Sequence, residues 1–510
     1  MTTVRPPLAP AHPPHLQRAS MGVAGLDDIL GGGLPTNHLY LVDGEPGTGK
    51  TTLALQFLLE GRKHGERGLY VTLSESRAEL NGVAASHGWS LDGIEIFELS
   101  ADAAMEEDYT LFHPAEVELQ ETMGAVLQAI ERHDPKRVVF DSLSEMRLLA
   151  RDPLRFRRQI LSLKQFFAGR EGTVLLLDDK SAPDGDMQLH SLAHGVILLE
   201  HIALDYGAER RRMQVTKLRG ARFWGGYHDF RVRTGGLAVF PRIRSSVPPA
   251  SREATEMKSE DSGLDELLGG GLTRGTSTLL TGAAGTGKTV LSLQYVKAAV
   301  DRGERVRMYL FDERVTTFRL RARGLDMSMD EAIEDGRLSV VQVEPTEMSP
   351  GEFANEVVQA VECDGVQLVV LDSVNGFMNA MPAERLLGVQ LHELLTFLAN
   401  KGVSIIMTLV QRGVFGAPVD EAAEVSYLAD TVVLLRYFEF QGSVRQAISV
   451  VKKRSGSHEH TIRECRVESG GIKVGAPLRD FQGVLTGVPH YFGAQGPLLS
   501  PDKPPGDPTK

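Results

Sequence analysis

One sequence block occurs twice in this chain, and the repeat limits the possible fold more than any other feature. The first copy begins with GLDDILGGGL at residues 25–34, and the second begins with GLDELLGGGL at residues 263–272. A second shared string, GTGKT, follows in each copy at the same distance, at residues 47–51 and 285–289. Self-similarity that keeps one offset over this length indicates a duplicated domain.

Length and composition agree with two folded domains. The chain has 510 residues, of which 42% are hydrophobic and 24% are charged, so most of it can bury a core. The formal net charge of -12 argues against a surface built to neutralise nucleic-acid phosphates. We therefore expect a soluble globular protein for which nucleic acid is an unlikely partner, with a local basic groove as the alternative.

Cysteine content and the distribution of apolar residues favour the cytoplasm. Cys363 and Cys465 are too few for the disulfide framework of a small secreted domain. Residues 1–20 lack the apolar stretch of a signal peptide. No segment stays apolar for the roughly 20 residues that cross a bilayer, so we expect no membrane insertion.

Composition also predicts how the chain is divided. Strands predicted at 38–42 and 138–141 in the first half, and at 277–280 and 369–372 in the second, alternate with helical patterns, which is typical of a parallel α/β sheet in each half. The predicted segments are a disordered proline-rich N-terminus at 1–18, a first domain at 19–241, a linker at 242–262, a second domain at 263–490 and a disordered tail at 491–510.

Both halves carry the full P-loop pattern between a predicted strand and a predicted helix, at residues 44–51 and 282–289. Its glycines let backbone N–H groups surround phosphates at a helix N-terminus, and its lysine reaches the β- and γ-phosphates. Two chance glycine-rich turns are a poor alternative, because both patterns are complete. The predicted ATP contacts are Gly47, Thr48, Gly49, Lys50, Thr51 and Thr52 in the first half, and Gly285, Thr286, Gly287, Lys288, Thr289 and Val290 in the second.

Asp141 and Asp372 each end an apolar run downstream of a P-loop, as expected for the Walker B aspartate that holds Mg²⁺. The P-loop residues Thr51 and Thr289 supply the matching hydroxyl ligand. An aspartate at a strand end is by itself often only a turn residue. The P-loop upstream favours the metal role, so the predicted cofactors are ATP and Mg²⁺.

The lead-in string, the doubled P-loop and the length together resemble the KaiC family, over roughly residues 22–489. The resemblance implies two tandem RecA-like domains, each with a mostly parallel sheet flanked by helices. It also implies a homo-hexamer with ATP between neighbouring subunits, and partners of the KaiB-like or signalling-kinase kind. Circadian function does not follow from these motifs.

Family members carry a pair of glutamates after the strand that follows the P-loop helix, and the first of the pair polarises the attacking water or hydroxyl. Here the first-half pair is Ser74 and Glu75, and serine cannot accept a proton as a carboxylate does. Either Glu75 substitutes as the catalytic base or first-domain hydrolysis is slow. The second-half pair, Asp312 and Glu313, keeps both carboxylates, so the resemblance favours catalysis there. The alternative is a pair of solvated residues at a strand end.

Two basic strings match family residues that reach a neighbour's ATP. Alternation along a strand would place Lys217 and Arg219 on one face, and likewise Lys452 and Arg454. The alternative is a strand edge protected by charge. The resemblance assigns ATP contacts to Lys217, Leu218, Arg219, Lys452, Lys453 and Arg454, and more weakly to Arg445 and His458.

The family's autokinase carries adjacent serine and threonine acceptors near the end of the second domain. Here Ser426 falls on the serine, while Tyr427 replaces the threonine. Ser426 is the predicted phospho-acceptor, with Tyr427 as the alternative acceptor, and an ordered two-site cycle looks compromised. The alternative is that Ser426 is an ordinary turn residue without a role in phosphorylation.

Three functions are consistent with these residues. The leading hypothesis is a hexameric ATPase with serine autokinase activity in its second domain, acting in signalling or timing. The second is a phosphorylation-silent scaffold that ATP assembles. The third, a RecA- or DnaB-like DNA motor, ranks last because the chain is acidic.

Overall fold

The computed structural model describes residues 17–98, 115–150, 152–179, 187–203, 207–244, 255–344, 346–379, 387–411, 426–484 and 490–493. Within these ranges the chain forms two compact units. The first comprises residues up to Arg242 together with Ser349–Asn355, and the second comprises the remainder.

The first half of the chain alternates strands and helices, and its sheet has nine strands. Its elements are β1 Arg18–Ala19, α1 Leu26–Leu30, β2 Leu34–Pro35, β3 Leu39–Gly44, α2 Lys50–Lys63, β4 Gly68–Thr72, α3 Arg77–Ser86, β5 Ile94–Glu98, α4 Ala115–His133, β6 Arg137–Asp141, α5 Leu143–Ala150, α6 Pro153–Phe167, β7 Thr173–Asp179, α7 Met187–Leu192, β8 Gly195–Ile202, β9 Arg210–Leu218, β10 Tyr227–Arg233 and β11 Gly236–Phe240.

The strand order of this sheet is β11-β10-β9-β8-β3-β7-β6-β4-β5. The strands from β8 to β5 are parallel, while β9, β10 and β11 continue the sheet in antiparallel pairs. The central strand β3 lies between β7 and β8, and every one of its residues is buried. This is the burial expected of a parallel strand with helices on both faces of the sheet.

The second half repeats the architecture. Its elements are β12 Glu256–Met257, α8 Ser262–Leu267, β13 Leu272–Thr273, β14 Ser277–Gly282, α9 Lys288–Asp301, β15 Val306–Leu310, α10 Val315–Gly324, α11 Asp330–Glu334, β16 Leu338–Gln342, α12 Pro350–Glu362, β17 Leu368–Asp372, α13 Val374–Asn379, α14 Leu387–Lys401, β18 Ser404–Val410, β19 Thr431–Phe440, β20 Ser443–Lys453, β21 Arg463–Glu468, β22 Gly471–Pro477, β23 Phe481–Gln482 and β24 His490–Tyr491.

Its nine-stranded sheet has the order β16-β15-β17-β18-β14-β19-β20-β21-β22. The strands from β16 to β19 are parallel, and β20, β21 and β22 are antiparallel additions. The P-loop strand is again central, and all six of its residues are buried. The expected α/β class, with two mostly parallel sheets flanked by helices, is confirmed.

Helices cover both faces of the first sheet. On one face, Leu53 and Phe57 of the P-loop helix α2 pack with Leu26 of α1. On the other face, Val126 of α4 and Ile160 of α6 belong to a second buried cluster. These two layers hold the sheet so that the loops at the carboxyl ends of the parallel strands can carry polar side chains.

The lead-in motif has a structural explanation. The carboxylate of Asp27 accepts hydrogen bonds from Ser20 Oγ at 2.8 Å and from the backbone N–H of Met21 at 2.7 Å. In the second copy, Asp265 accepts from Ser259 Oγ at 2.8 Å. The repeated aspartate therefore ties the chain that enters each domain to its first helix.

The structure differs from the predicted linker in its last part. Strand β12 pairs with β13, and Asp261 caps α8 by accepting a hydrogen bond from Leu264 N–H. Met257 and Ser259 are buried. A two-residue strand and a short helix leave too little periodicity to be recognised in sequence. The predicted N-terminal and C-terminal segments differ likewise at their inner ends, in β1 and β24, while residues 1–16 and 494–510 lie outside the described residues.

No helix in the described part of the chain is both long and apolar enough to cross a lipid bilayer.

Candidate functional site

The first P-loop lies between β3 and α2. Gly49 has φ 102°, a left-handed conformation that favours glycine, and Lys50 is the first residue of α2. Lys50 Nζ donates to the carbonyl oxygens of Gly44 at 2.7 Å and Glu45 at 2.9 Å. Thr48 Oγ1 donates to the Glu45 carbonyl at 2.8 Å and closes the loop.

The second P-loop, between β14 and α9, repeats this geometry. Gly287 has φ 99°, and Lys288 Nζ donates to the carbonyls of Gly282 at 2.9 Å and Ala283 at 2.7 Å. Thr286 Oγ1 donates to the same Ala283 carbonyl at 2.9 Å. Burial lowers the pKa of Lys288 to about 8, although Asp372 acts in the opposite direction. An anion brought to this lysine would stabilise its charged form.

The two P-loop lysines, Lys50 and Lys288, differ in whether a carboxylate contacts them. Lys50 Nζ lies 2.8 Å from Asp179 Oδ1, at the end of β7, in addition to its two loop carbonyls. Among the described residues, Lys288 has no such carboxylate within salt-bridge distance.

Asp141 ends β6 beside the first P-loop. Thr51 Oγ1 donates to its Oδ2 at 3.3 Å, and the hydroxyl of Tyr70 on β4 donates to the same oxygen. Burial raises the pKa of Asp141, and the hydrogen bonds from Tyr70 and Thr51 work against that rise. A threonine hydroxyl and a carboxylate in contact are the oxygen ligands that Mg²⁺ prefers, so the residues fit the predicted ion.

Asp372 has the same position at the end of β17, with a different supporting hydroxyl. Thr408 Oγ1 on β18 donates to Asp372 Oδ1 at 2.5 Å. Thr289 follows Lys288 in the first turn of α9, as Thr51 follows Lys50 in α2. The bonds Asp141–Ser142 and Asp372–Ser373 are both cis.

The first-half pair, Ser74 and Glu75, contains one exposed residue and one partly buried residue. Ser74 is exposed, whereas Glu75 is partly buried after β4. Burial raises the pKa of Glu75, and the nearby charges of Asp141 and Glu79 raise it further. Its Oε2 atom is buried and contacts no hydrogen-bonding group of the described residues. Glu75 is thus the carboxylate available to accept a proton in this loop.

Both carboxylates of the second pair, Asp312 and Glu313, contact other side chains. Ser373 Oγ, next to the Walker B aspartate, donates to Asp312 Oδ2 at 2.5 Å. Glu313 forms an ion pair with Arg321 on α10. Burial raises the pKa of Glu313, Arg321 opposes the rise and Asp372 adds to it. The contact through Ser373 brings Asp312 next to the end of β17.

The first basic string holds the end of α7. Lys217 Nζ donates to the carbonyl of His190 and, at 3.3 Å, to that of Ser191, while Arg219 Nη2 donates to the Ser191 carbonyl at 2.9 Å. The expectation that these two cations lie on one face is confirmed. Burial and then the neighbouring cations Arg219 and Lys164 lower the pKa of Lys217.

The second string has the same geometry. Lys452 Nζ donates to the carbonyls of Ser426 at 3.1 Å and Ala429 at 2.6 Å. Arg454 Nη2 donates to the carbonyl of Tyr427 at 2.8 Å. The pair therefore holds the predicted acceptor segment, whose preceding residues 424–425 lie outside the described ranges.

The residue between each pair of cations points the other way. Lys453 is buried, and its Nζ donates to the carbonyls of Leu268 at 2.6 Å and Gly271 at 3.1 Å. Leu218 is buried in the core of the first unit. Strand alternation turns these two side chains into the protein, so the predicted ATP contacts of Leu218 and Lys453 stay a prediction that only their backbone atoms could fulfil.

The remaining predicted contacts are scattered. Thr52 is buried with its Oγ1 3.3 Å from His87 Nε2, and Val290 is packed in the second core. Arg445 Nη1 lies 3.2 Å from Glu464 Oε1. His458 is partly buried, and burial followed by the charge of His460 lowers its pKa. The structure brings none of these four side chains into the P-loops by a described contact.

Comparison with known proteins decides the family. The family model described as "ATPase: KaiC" matches residues 19–244 and again residues 258–479. The chain belongs to the KaiC family. It is therefore a KaiC-family ATPase, and the nucleotide binding that this implies agrees with the two P-loops.

Its similarity to individual KaiC proteins is low but spans nearly the whole chain. The Circadian clock protein KaiC3 of Synechocystis sp. (strain ATCC 27184 / PCC 6803 / Kazusa) is 24% identical, with 93% of this chain and 95% of the relative covered. The Circadian clock oscillator protein KaiC of Parasynechococcus marenigrum (strain WH8102) is 25% identical, with 95% of each covered. That of Parathermosynechococcus lividus is 26% identical, with 93% and 88% covered.

Sequence reasoning missed several side chains of these KaiC-type sites. They share one property, contact with a predicted site residue from outside its motif, and they are Tyr70, Asp179, Arg321, Ser373 and Thr408. Only the serine that follows each Walker B aspartate carried a local signal, because it recurs as Ser142 and Ser373.

Proposed function

We propose that this KaiC-family ATPase binds Mg·ATP at both P-loops and that its second site transfers the γ-phosphoryl group to Ser426. Glycine loops that open a helix and a lysine directed at the loop support phosphate binding in both halves. The halves differ in their carboxylates, which supports a difference in catalysis.

The metal would be held by Thr51 and Asp141 in the first site and by Thr289 and Asp372 in the second. When bound, Mg²⁺ neutralises charge on the β- and γ-phosphate oxygens. The hydrogen bonds from Tyr70 to Asp141 and from Thr408 to Asp372 fix the orientation of each carboxylate.

Hydrolysis and autophosphorylation differ only in the attacking oxygen. The oxygen of water, or Oγ of Ser426, forms a bond to the γ-phosphorus while the bond to the β,γ-bridging oxygen breaks and ADP leaves. The attacking oxygen loses its proton to a carboxylate. We assign this proton to Glu75 in the first site and to Asp312 or Glu313 in the second.

The observation that carries the kinase proposal is the cationic support of the acceptor segment. Lys452 and Arg454 bind the backbone carbonyls of Ser426 and Tyr427, so the segment is fixed beside two positive charges. Such charges stabilise the negative charge that develops during phosphoryl transfer, and transfer depends on positioning of the acceptor.

For the assembly we propose a homo-hexamer with ATP between subunits, in which the cations of one chain reach the neighbour's nucleotide. The position of the partly buried Lys452 and the exposed Arg454 at the end of β20 supports this role. We further propose a role in signalling or timing, with KaiB-like proteins or signalling kinases as partners, because curated relatives are named circadian clock proteins. Cytoplasmic location is part of the same proposal.

The two P-loops allow the assembly proposal to be tested. Light scattering in Mg·ATP should show loss of the hexamer in Lys50→Ala and its retention in Lys288→Ala. Equal effects of the two substitutions on mass would contradict the proposed division of labour.

A phosphorylation-silent ATPase scaffold is the second candidate, and Tyr427 in the threonine position favours it. Intact mass of the purified chain after incubation with Mg·ATP separates the candidates. The kinase proposal predicts a gain of one phosphoryl group that Lys288→Ala abolishes. An unchanged mass would leave the scaffold as the function.

A further inference from the structure

The first P-loop lysine has an acidic partner that the nucleotide site does not require. Asp179 Oδ1 lies 2.8 Å from Lys50 Nζ, and Asp179 Oδ2 accepts a hydrogen bond from Ser144 Oγ at 2.9 Å. The Lys50 side chain is 8% exposed and that of Asp179 is 28% exposed. The pair is thus largely shielded from solvent, where an ion pair is stronger than on an open surface.

In the second half, the position equivalent to Asp179 carries no acidic residue. Asp179 is paired in the sheet with Gly44, the first residue of the first P-loop. Val410 is paired with Gly282, the first residue of the second. Both lysines donate to the same two loop carbonyls, so the carboxylate is the difference between the lysine environments.

This difference bears on phosphate binding. A P-loop lysine reaches the β- and γ-phosphates, so Lys50 must turn from Asp179 toward the nucleotide when ATP binds. The Asp179 carboxylate then lies close to the added negative charge, and its ion pair with Lys50 is weakened. ATP carries one more negative charge than ADP at the end nearest the lysine, so repulsion acts more strongly on ATP.

We propose that Asp179 is a specificity-determining residue of the first site, which holds Lys50 when the site is empty and lowers the affinity for ATP relative to ADP. The inference rests on the proposed binding of Mg·ATP at the first P-loop. It makes the two sites of one chain unequal in nucleotide preference as well as in catalytic carboxylates.

The test measures the affinities of the first site for a slowly hydrolysed ATP analogue and for ADP, by calorimetry on the full chain carrying Lys288→Ala. Asp179→Asn keeps the shape and removes the charge, and Asp179→Val copies the second site. Both should tighten ATP-analogue binding by on the order of tenfold, with a smaller effect on ADP. Ser144→Ala keeps the charge and should leave the ratio of the two affinities unchanged.

The reciprocal variant is Val410→Asp in the full chain with Lys50 kept for assembly, which should weaken ATP-analogue binding relative to ADP at the second site. An unchanged ratio in Asp179→Asn, or weaker ATP-analogue binding, would overturn the inference. If the Lys288→Ala parent does not bind the ATP analogue at all, the proposed nucleotide binding fails. This result is distinct from a parent that binds the analogue but whose ratio of affinities does not change in Asp179→Asn.

Discussion

Ser373 Oγ donates a 2.5 Å hydrogen bond to Asp312 Oδ2, which ties the carboxylate after β15 to the residue that follows the Walker B aspartate. In the first site Ser142 occupies the same position after Asp141, but its Oγ donates to Ser144 Oγ at 3.1 Å. The duplicated serine therefore positions a carboxylate in only one of the two sites.

Ser373→Ala should slow second-site turnover while leaving ATP affinity nearly unchanged. The substitution frees Asp312 to rotate away, and a misplaced catalytic group lowers the rate by roughly tenfold or more. Steady-state ATPase of the full chain carrying Glu75→Gln, which silences first-site hydrolysis and keeps Lys50 for assembly, measures the effect as a fall in kcat at constant KM. Ser142→Ala is the matched control in the Lys288→Ala chain, and an equal fall there would contradict the positioning role.

The motifs that lie within one stretch of chain could be predicted from sequence. Both P-loops, both Walker B aspartates and the position of the basic strings are local patterns, and strand alternation identifies Lys217 and Arg219 as neighbours. The same alternation, applied consistently, would have turned Lys453 inward.

The side chains that modify these motifs could not be predicted, because they come from other strands. Asp179 reaches Lys50 because β7 lies beside β3, and the sheet order is not readable from a single strand. Tyr70 and Thr408 donate to equivalent aspartates from different strands, β4 and β18, so the duplication itself does not reveal them.

Glu75→Gln should abolish most first-site hydrolysis. Glu75 is the partly buried carboxylate of its loop, and removal of a general base costs about 10²- to 10⁴-fold in rate. The measurement is ATPase activity of the full chain carrying Lys288→Ala. Ser74→Glu restores the family's carboxylate and is expected to raise the rate; unchanged hydrolysis in Glu75→Gln would remove Glu75 from the mechanism.

The acid limb of first-site activity should lie at higher pH than that of an ordinary glutamate. Burial, Asp141 and Glu79 raise the pKa of Glu75, and a base must be deprotonated, so activity is lost as pH falls through this raised value. The pH profile of kcat/KM in the Lys288→Ala chain reports this group in the free protein. Glu79→Gln keeps the capping box of α3 and should move the limb to lower pH. A limb at the usual glutamate pKa in both chains would refute the assignment.

Lys453→Ala should destabilise the second unit, whereas Lys452→Ala should not. Lys453 is buried and satisfies the carbonyls of Leu268 and Gly271, which would be left without its ammonium group. Loss of hydrogen bonds to buried groups costs about 1 to 3 kcal/mol. Thermal denaturation without nucleotide measures the difference, and equal stability of the two variants would show that Lys453 is not needed for the fold.

The central question is whether the second site transfers a phosphoryl group to Ser426. The measurement is a site-resolved phosphopeptide map after incubation with Mg·ATP, made on the unmodified chain and on Lys288→Ala and Ser426→Ala. The account predicts phosphate on Ser426 in the unmodified chain and none on that residue in either variant. A map without modification at Ser426, or with Tyr427 as the modified residue, would contradict it.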